Sequence, residues 1–336
     1  MPRILRQSTV VRDGHHNAFT DLQYWQGCYW VSYRKGASHV SMDGNPAVSV
    51  SCDRERFREA ARLRMPGDNR DPKLLPIDDG RMAAYFPSWT EGYARRKLQQ
   101  HIAFTENGFD WERPRPILDP QMWMWRIRRH DGRYWGLIQN LSAGWEGPRK
   151  PHRLDLAVSD DLLNWQTVTR IGEGLALNES DIHWWPDGEA WVVSRNADDD
   201  EGGPGSFFAC ARPPYTDWEV TPMTPLVHAP AMLEHKGSLY VCGRSAPERE
   251  GITTFPFSWS SMGVWRVGRG ELEPVLRIPA TGDCTYPGLI HDPDGRVCLS
   301  YYSQHAYAMG VVPSPSGDAF THHHKADVYF AELELG

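Results

Sequence analysis

The sequence has no apolar run approaching the ~18 residues of a membrane-spanning helix, which excludes that class. It has no surplus of basic charge: 36 Lys and Arg stand against 43 Asp and Glu, for a net charge of −7. The cations are scattered among acids, so the basic footprint of a nucleic-acid partner is missing. The opening segment MPRILRQSTVVRDGHHNAF has neither an apolar stretch of signal-peptide length nor a small-residue cleavage site, which leads us to expect a cytoplasmic protein unless a signal has been removed. No CxxC pair is present, and Cys28, Cys52, Cys210, Cys242, Cys284 and Cys298 read as free, mostly buried thiols. Helical periodicity is also missing, the nearest stretch being the short, highly charged RERFREAARLR.

What is abundant is tryptophan, with 15 residues, beside 30 glycines and 26 prolines. A short unit recurs, in which an apolar strand and a Gly-centred turn lead into a second strand rich in aromatic and β-branched residues. The turn glycines are Gly27, Gly80, Gly132, Gly188, Gly237 and Gly295, separated by 53, 52, 56, 49 and 58 residues. Asp-Gly or Lys-Gly between alternating runs is a hairpin signal, because the turn needs positive φ. Each unit continues into a third strand and often a fourth, the make-up of a propeller blade. The expected fold is therefore all-β: a six-bladed β-propeller with four-stranded antiparallel blades, read as one domain. Its blades span approximately residues 13–65, 66–117, 118–172, 173–224, 225–280 and 281–336. Residues 1–12 join the last blade and close the ring, which leaves no open sheet edge.

Function is expected where the starts of first strands and the ends of second strands converge on the ring axis. Those positions give Asp13, His15, His16 and Asn17 with Arg34 and His39, then Arg70 and Asp71 with Trp89. Trp123, Trp125 and Asn140 follow, then Glu179 and Asp181 with Arg195. His228 with Arg244, and Asp283 and Tyr286 with Tyr302 and His305, complete the ring. Arginines recur at Arg34, Arg70, Arg195 and Arg244, where core strands should be apolar. A buried guanidinium needs a partner, and several around one cavity call for an anion, unless each pairs with a neighbouring acid. Among the tryptophans, Trp111 and Trp165 fall at outer turns, Trp30, Trp135 and Trp191 in second strands, and Trp89, Trp123 and Trp184 are left for the mouth.

Two segments, Thr105-Glu106-Asn107-Gly108-Phe109-Asp110-Trp111 and Ser159-Asp160-Asp161-Leu162-Leu163-Asn164-Trp165, resemble the aspartate box of sialidases, a structural turn held by side-chain to backbone hydrogen bonds. The chain as a whole resembles the sialidase superfamily and its sialidase-like or BNR-repeat members. Asn178-Glu179-Ser180 through Ser194-Arg195, and Thr285-Tyr286-Pro287-Gly288 through Tyr301-Tyr302, carry that resemblance. It implies an enzyme cleaving a glycosidic bond beside an acidic sugar, with Tyr286 as nucleophile and Glu179 as its base. Arg195, Arg244 and Arg34 or Arg70 would form a carboxylate clamp. A phenol with pKa near 10 is a poor nucleophile until a carboxylate takes its proton. The family's RIP arginine is absent, its place reading Asn17-Ala18-Phe19 after His15 and His16. Where the family carries its acid/base Asp this chain has His39 and Asp43.

The histidines also fit a polysaccharide lyase, which neutralises a uronate, removes the C5 proton and protonates the leaving oxygen; His16, His39, His228, Tyr286 and Tyr302 are candidates. A non-catalytic glycan-binding propeller would keep the Trp and Gly pattern without the central Arg, Glu and Tyr, and a five-bladed hydrolase would need inner-strand acids in three blades. The expected partner is an acidic oligosaccharide or glycoconjugate, with Asp71, His228, Tyr302, His305, Trp89 and Trp123 beside the arginines as binding residues. No nucleic acid, membrane, cofactor or metal is expected, and the chain is read as a monomer or weak homo-oligomer. The Thr321-His322-His323-His324 run reads as part of a loop over the mouth, and Asp198-Asp199-Asp200-Glu201 as a solvated loop.

Overall fold

The computed structural model describes residues 1–91, 97–142, 153–197, 205–245, 261–307 and 325–336. The His322–His324 and Asp198–Glu201 runs lie outside the described residues. Six antiparallel sheets surround an axis, and no α-helix occurs among the described residues. After β1 (Arg3–Val11), the first blade contains β2 (His16–Trp25), β3 (Cys28–Gly36), β4 (Asn45–Ser51) and β5 (Arg58–Arg62). The second has a divided inner strand, β6 (Asp68–Asn69) and β7 (Lys73–Pro76), followed by β8 (Met82–Trp89), β9 (Leu98–Thr105) and β10 (Arg115–Ile117). β11 (Met122–His130), β12 (Arg133–Asn140), β13 (Arg153–Ser159) and β14 (Gln166–Ile171) make the third. The fourth holds β15 (Leu177–Trp184), β16 (Ala190–Asn196), β17 (Ser206–Ala211) and β18 (Glu219–Met223). β19 (His228–His235), β20 (Ser238–Ser245), β21 (Ser261–Val267) and β22 (Leu272–Ile278) form the fifth. In the sixth, β23 (Thr285–His291), β24 (Val297–Ser303) and β25 (Asp327–Glu334) are joined by β1, so the first strand of the chain closes the ring.

All six turn glycines have positive φ, between 74° and 88°. Apolar cores lie between neighbouring sheets: Ala231, Cys242 and Val264 of the fifth blade pack on Leu289, Leu299 and Tyr329 of the sixth. Gly288 allows the tightest approach at the axis, since a Cβ there would lie 2.1 Å from the backbone nitrogen of Leu22 in the adjacent inner strand.

The outer turns are boxes of one design. Thr105 Oγ1 accepts from Gly108 N at 2.9 Å, Asn107 Oδ1 accepts from Phe109 N and Asp110 N at 2.8 and 2.9 Å, and Trp111 Nε1 donates to Gly108 O at 3.0 Å. Ser159, Asp161 and Trp165 repeat this. A third box, missed in the sequence because Phe57 replaces the tryptophan, uses Ser51 and Asp53. A fourth keeps only the tryptophan contact, Trp218 Nε1 to Tyr215 O at 3.0 Å. The corresponding residues Arg54, Gly108, Leu162 and Tyr215 all have φ between 66° and 78°.

Two expectations are corrected. Cys28 and Cys52 form a disulfide, while Cys210, Cys242, Cys284 and Cys298 are free and buried. Their neighbours Tyr29 and Ser51 are cross-strand partners, and this register brings Cys28 and Cys52 to a Cα–Cα distance of 4.2 Å. Trp184 lies at the hairpin end of β15, opposite the mouth, stacked on His130 at 4.6 Å.

Candidate active site

Every inner strand is irregular at its mouth end. Ladder register breaks between Ala18 and Asp21, Met124 and Ile127, Leu177 and Ser180, His228 and Ala231, and Thr285 and Gly288. In the second blade, Arg70, Asp71 and Pro72 fall between β6 and β7. Bulges of this kind re-aim side chains. They place Phe19, Trp125, Asn178, Ala229 and Tyr286 at equivalent first positions of the bulges, with Asp71 in the matching stretch of the second blade and Glu179 at the second position of its own bulge. Phe19, Asp71, Ala229 and Tyr286 have φ of 59°, 45°, 49° and 41°, a conformation costing about 1–3 kcal/mol for a residue with a Cβ and kept only where the surroundings impose it.

Tyr286 Oη donates to Glu179 Oε1 at 2.6 Å. Arg195 Nη1 reaches the same oxygen at 3.3 Å, and Ala229 N, freed by its own bulge, donates to Oε2 at 2.7 Å. Burial pushes the Glu179 carboxyl up, but Arg195 and the Tyr286 hydroxyl outweigh it and hold it below the usual carboxylate value. Tyr286 moves well above the ordinary phenol value, through burial first and then the charges of Glu179 and Asp71. At neutral pH the pair is a phenol hydrogen-bonded to a carboxylate, with the proton on tyrosine.

A second group gathers on Asp283. Its Oδ2 lies 2.8 Å from His16 Nε2 and 2.5 Å from His39 Nδ1; its Oδ1 accepts from Tyr302 Oη at 2.7 Å and is 3.7 Å from Arg244 Nη1. Asp283 is held well below the usual carboxylate value: burial opposes its charge, and His39 and His16 overcome this. The His16, His39 and Asp283 ligand atoms lie within 4.8 Å of one another, a set that can hold a metal ion. Asp283 Oδ2, however, sits at hydrogen-bond distance from both rings, and Arg70 and Arg244 nearby oppose a divalent cation, so the trio reads as a proton-sharing cluster. Phe19 joins the two groups, its ring 4.9 Å from Tyr286 and 5.3 Å from His39.

The arginines divide by role. Arg34 is fully buried and its three nitrogens are committed to Asp68 Oδ1, Ser38 O, and Ser41 O and Oγ, so it clamps the turn that carries His39. Asp43 is exposed and accepts from Ala37 N in that same turn, outside both acid–base groups. Arg70 donates to Asp68 and His39 O, lies 3.2 Å from His39 Nε2, and covers the Phe19 ring at 4.5 Å. Arg244 Nη2 donates to His228 Nδ1 at 2.8 Å; burial, then Arg195 and Arg244, keep that imidazole neutral. Trp89 and Trp123 cluster with Trp125 beside Tyr286, and Trp123 stacks on Trp125 at 4.7 Å. His305 belongs elsewhere: it stacks on Tyr329 at 4.6 Å beside the Arg12–Asp327 pair.

Lys73 and the arginines Arg126 and Arg128 of the third inner strand escaped the sequence reading. Lys73 is buried, donates to Thr20 O and lies 5.3 Å from the Tyr286 ring centre, with burial lowering its pKa. Asp71, which did figure as a binding residue, is 3% exposed, and neither carboxylate oxygen has a hydrogen-bond partner among the described residues; burial raises its pKa. Deeper on the axis, Arg126 pairs with Asp21 at 2.7 Å and Arg128 with Asp181 at 2.9 and 2.5 Å. The alternating arginines of WRIRRH, in a strand expected to be apolar, were the available signal. A cleft of about 550 Å³ between the fourth and fifth blades, lined by Trp185, Trp191, Arg266 and Glu271, contains none of these groups.

A six-bladed propeller with an acid–base funnel at one mouth is the class that fold and site define. No family model and no curated protein matches the chain. Among solved structures, a protein of unknown function from Dyadobacter fermentans DSM 18053 superposes with a TM-score of 0.74 at 15% identity, covering 100% of this chain and 99% of that one. Trypanosoma rangeli sialidase in complex with the inhibitor DANA gives 0.64 at 10% identity over 98% of this chain, which spans 58% of that protein. The phage phi92 endosialidase gives 0.64 at 10% identity, over 98% of this chain and 69% of that one. The fold is the sialidase-like six-bladed propeller.

Proposed function

We propose that the protein is a glycoside hydrolase that cleaves the bond beside an acidic sugar, by double displacement through Tyr286. The observation that carries this reading is the 2.6 Å hydrogen bond from Tyr286 to Glu179, with Arg195 on the same carboxylate. As the phenol oxygen attacks the anomeric carbon its proton passes to Glu179, so the nucleophile reaches the sugar neutral and does not repel an anionic substrate. Arg195 and Arg244, with Arg70 across the mouth, can hold the sugar carboxylate through bidentate contacts. The test is to incubate the protein with fluorinated acidic-sugar donors and digest it. A mass increment on the Tyr286 peptide, together with loss of turnover of at least about 10³-fold in Tyr286→Phe, is expected; a label on another residue would overturn the assignment.

The dyad of His39 and Asp283 beside Arg70 favours one second reading, β-elimination at a uronic acid. Product mass separates the two, because elimination leaves an unsaturated sugar one water lighter and absorbing in the ultraviolet.

A further inference from the structure

Double displacement at Tyr286 needs a proton donor for the departing oxygen, and the Tyr286–Glu179 pair cannot supply it. Glu179 receives the tyrosine proton and is already engaged by Arg195 and by Ala229 N. The other titratable groups at the mouth are badly placed. Tyr302 is fully buried and donates to Asp283, His228 accepts from Arg244, and Lys73 lies beneath Tyr286. Asp71 is a true rival in chemistry, yet both its oxygens are enclosed. Among the described residues at the mouth, His39 alone combines an oriented ring with access: its side chain is 39% exposed while Asp283, bonded to its Nδ1 at 2.5 Å, is 7% exposed.

We propose that His39 is the proton donor and acceptor of the reaction, with Asp283 fixing its tautomer and Arg70 coupling its protonation to the arrival of the substrate anion. The proposal rests on the hydrolase reading above. In the first step the bond from Tyr286 Oη to the anomeric carbon forms, the glycosidic C–O bond breaks, the phenol proton goes to Glu179, and the Nε2 proton of His39 goes to the leaving oxygen. In the second, water attacks the anomeric carbon and gives its proton to His39, and the released Tyr286 oxygen recovers its proton from Glu179. The Arg70 contact supplies the coupling. At 3.2 Å from Arg70 Nη2, Nε2 must accept, so the ring in that arrangement is neutral. A carboxylate that takes the Arg70 fork removes this donor and adds negative charge, and both changes favour imidazolium.

Among the described residues, Asp283 and His16, Arg70 with Asp68 behind it, and the Phe19 ring face His39; Tyr302 and Arg244 act on the other Asp283 oxygen. Burial lowers the His39 pKa below its usual value, Asp283 opposes this, and Arg70 and His16 add to the lowering. Since kcat/KM follows the free enzyme, its alkaline limb should fall below about pH 6.5, with activity lost as pH rises through it.

The experiment compares the 4-nitrophenyl and methyl glycosides of sialic acid and of glucuronic acid. Nitrophenolate departs without a proton and methanol does not. On the sugar that the wild type hydrolyses, His39→Ala and His39→Gln should lose about 10²–10⁴-fold in kcat/KM on the methyl glycoside and less than about 10-fold on the nitrophenyl glycoside. Both should lose the alkaline limb, and Asp283→Asn should move it. Tyr286→Phe should be impaired equally on both substrates. Equal losses on the two leaving groups in the His39 variants, or the leaving-group signature appearing in Asp71→Asn instead, would overturn the assignment while leaving the Tyr286 reading intact. A wild type that hydrolyses none of the four, or releases an unsaturated sugar, would overturn the hydrolase reading itself.

Discussion

The outer turns and the inner bulges both recur blade by blade, but they conserve different things. In the outer boxes the side chains themselves return, with Ser51, Thr105 and Ser159 accepting from the backbone in the same way and Asp53, Asn107 and Asp161 filling the same acceptor place. At the inner bulges only the backbone irregularity returns, while the first residues it carries run Phe19, Asp71, Trp125, Asn178, Ala229 and Tyr286, with Glu179 following Asn178. A turn that must satisfy its own N–H groups has few chemical solutions. A bulge leaves donors that a neighbouring blade can satisfy, as Glu179 does for Ala229 N at 2.7 Å, so its own side chain is free to vary. Structure is thus held at the rim and under the bulges, and chemistry is displayed on them.

If that division is right, the largest loss of stability should come from the ionic layer beneath the mouth. Asp181→Ala removes both carboxylate contacts to the half-buried Arg128 and the acceptor of Met232 N, leaving the guanidinium with Met232 O as its remaining partner and a buried N–H uncompensated. The expected cost is about 3–5 kcal/mol by denaturant unfolding; a loss under about 1 kcal/mol would show that the axis is not held by these pairs. The Cys28–Cys52 bond, at the hairpin end of the first blade, should come next. Closing 24 residues of sequence separation restricts the unfolded chain by about 3 kcal/mol. Replacing both cysteines by serine should lower unfolding stability by that amount, abolish the effect of added reductant and leave kcat unchanged.

The same contrast explains what could be read from the sequence. Gly27, Gly80, Gly132, Gly188, Gly237 and Gly295 marked the hairpins because a two-residue turn demands their φ, and two boxes were visible because their Trp and acceptor residues are tied to fixed positions. Tyr286 and Glu179 were recognisable from the segments around them, and the structure places them in hydrogen-bond contact. Most of the rest depended on register or distant pairing. The Cys28 to Cys52 contact follows from the pairing of Tyr29 with Ser51. Arg34 looked like part of an anion clamp until Asp68, 34 residues on, took its Nε at 2.6 Å. Phe19 and Lys73 were obscured because a bulge breaks the alternation by which facing residues are read.

The smallest effect tests the rim alone. Asp161 is exposed, yet its carboxylate accepts from Leu163 N at 2.9 Å and Asn164 N at 2.8 Å. Slight burial opposes its charge and is outweighed by the Asn164 backbone N–H and side chain, then by Leu163 and Ser159, which bring the pKa to about 2. A folded value below the unfolded one means that the carboxylate stabilises the fold above the usual pKa and that this contribution disappears as pH falls towards 2. Solvent screening at an exposed site reduces what the shift would otherwise imply, to about 1 kcal/mol at pH 7. Asp161→Ala should therefore unfold at lower denaturant than wild type at pH 7, and the two curves should converge as the pH drops from about 4 to 2. Its kcat should match the wild type throughout the range where both are folded; a fall in kcat without a fall in stability would mean that rim and mouth are coupled, against the division drawn from the two kinds of repeat.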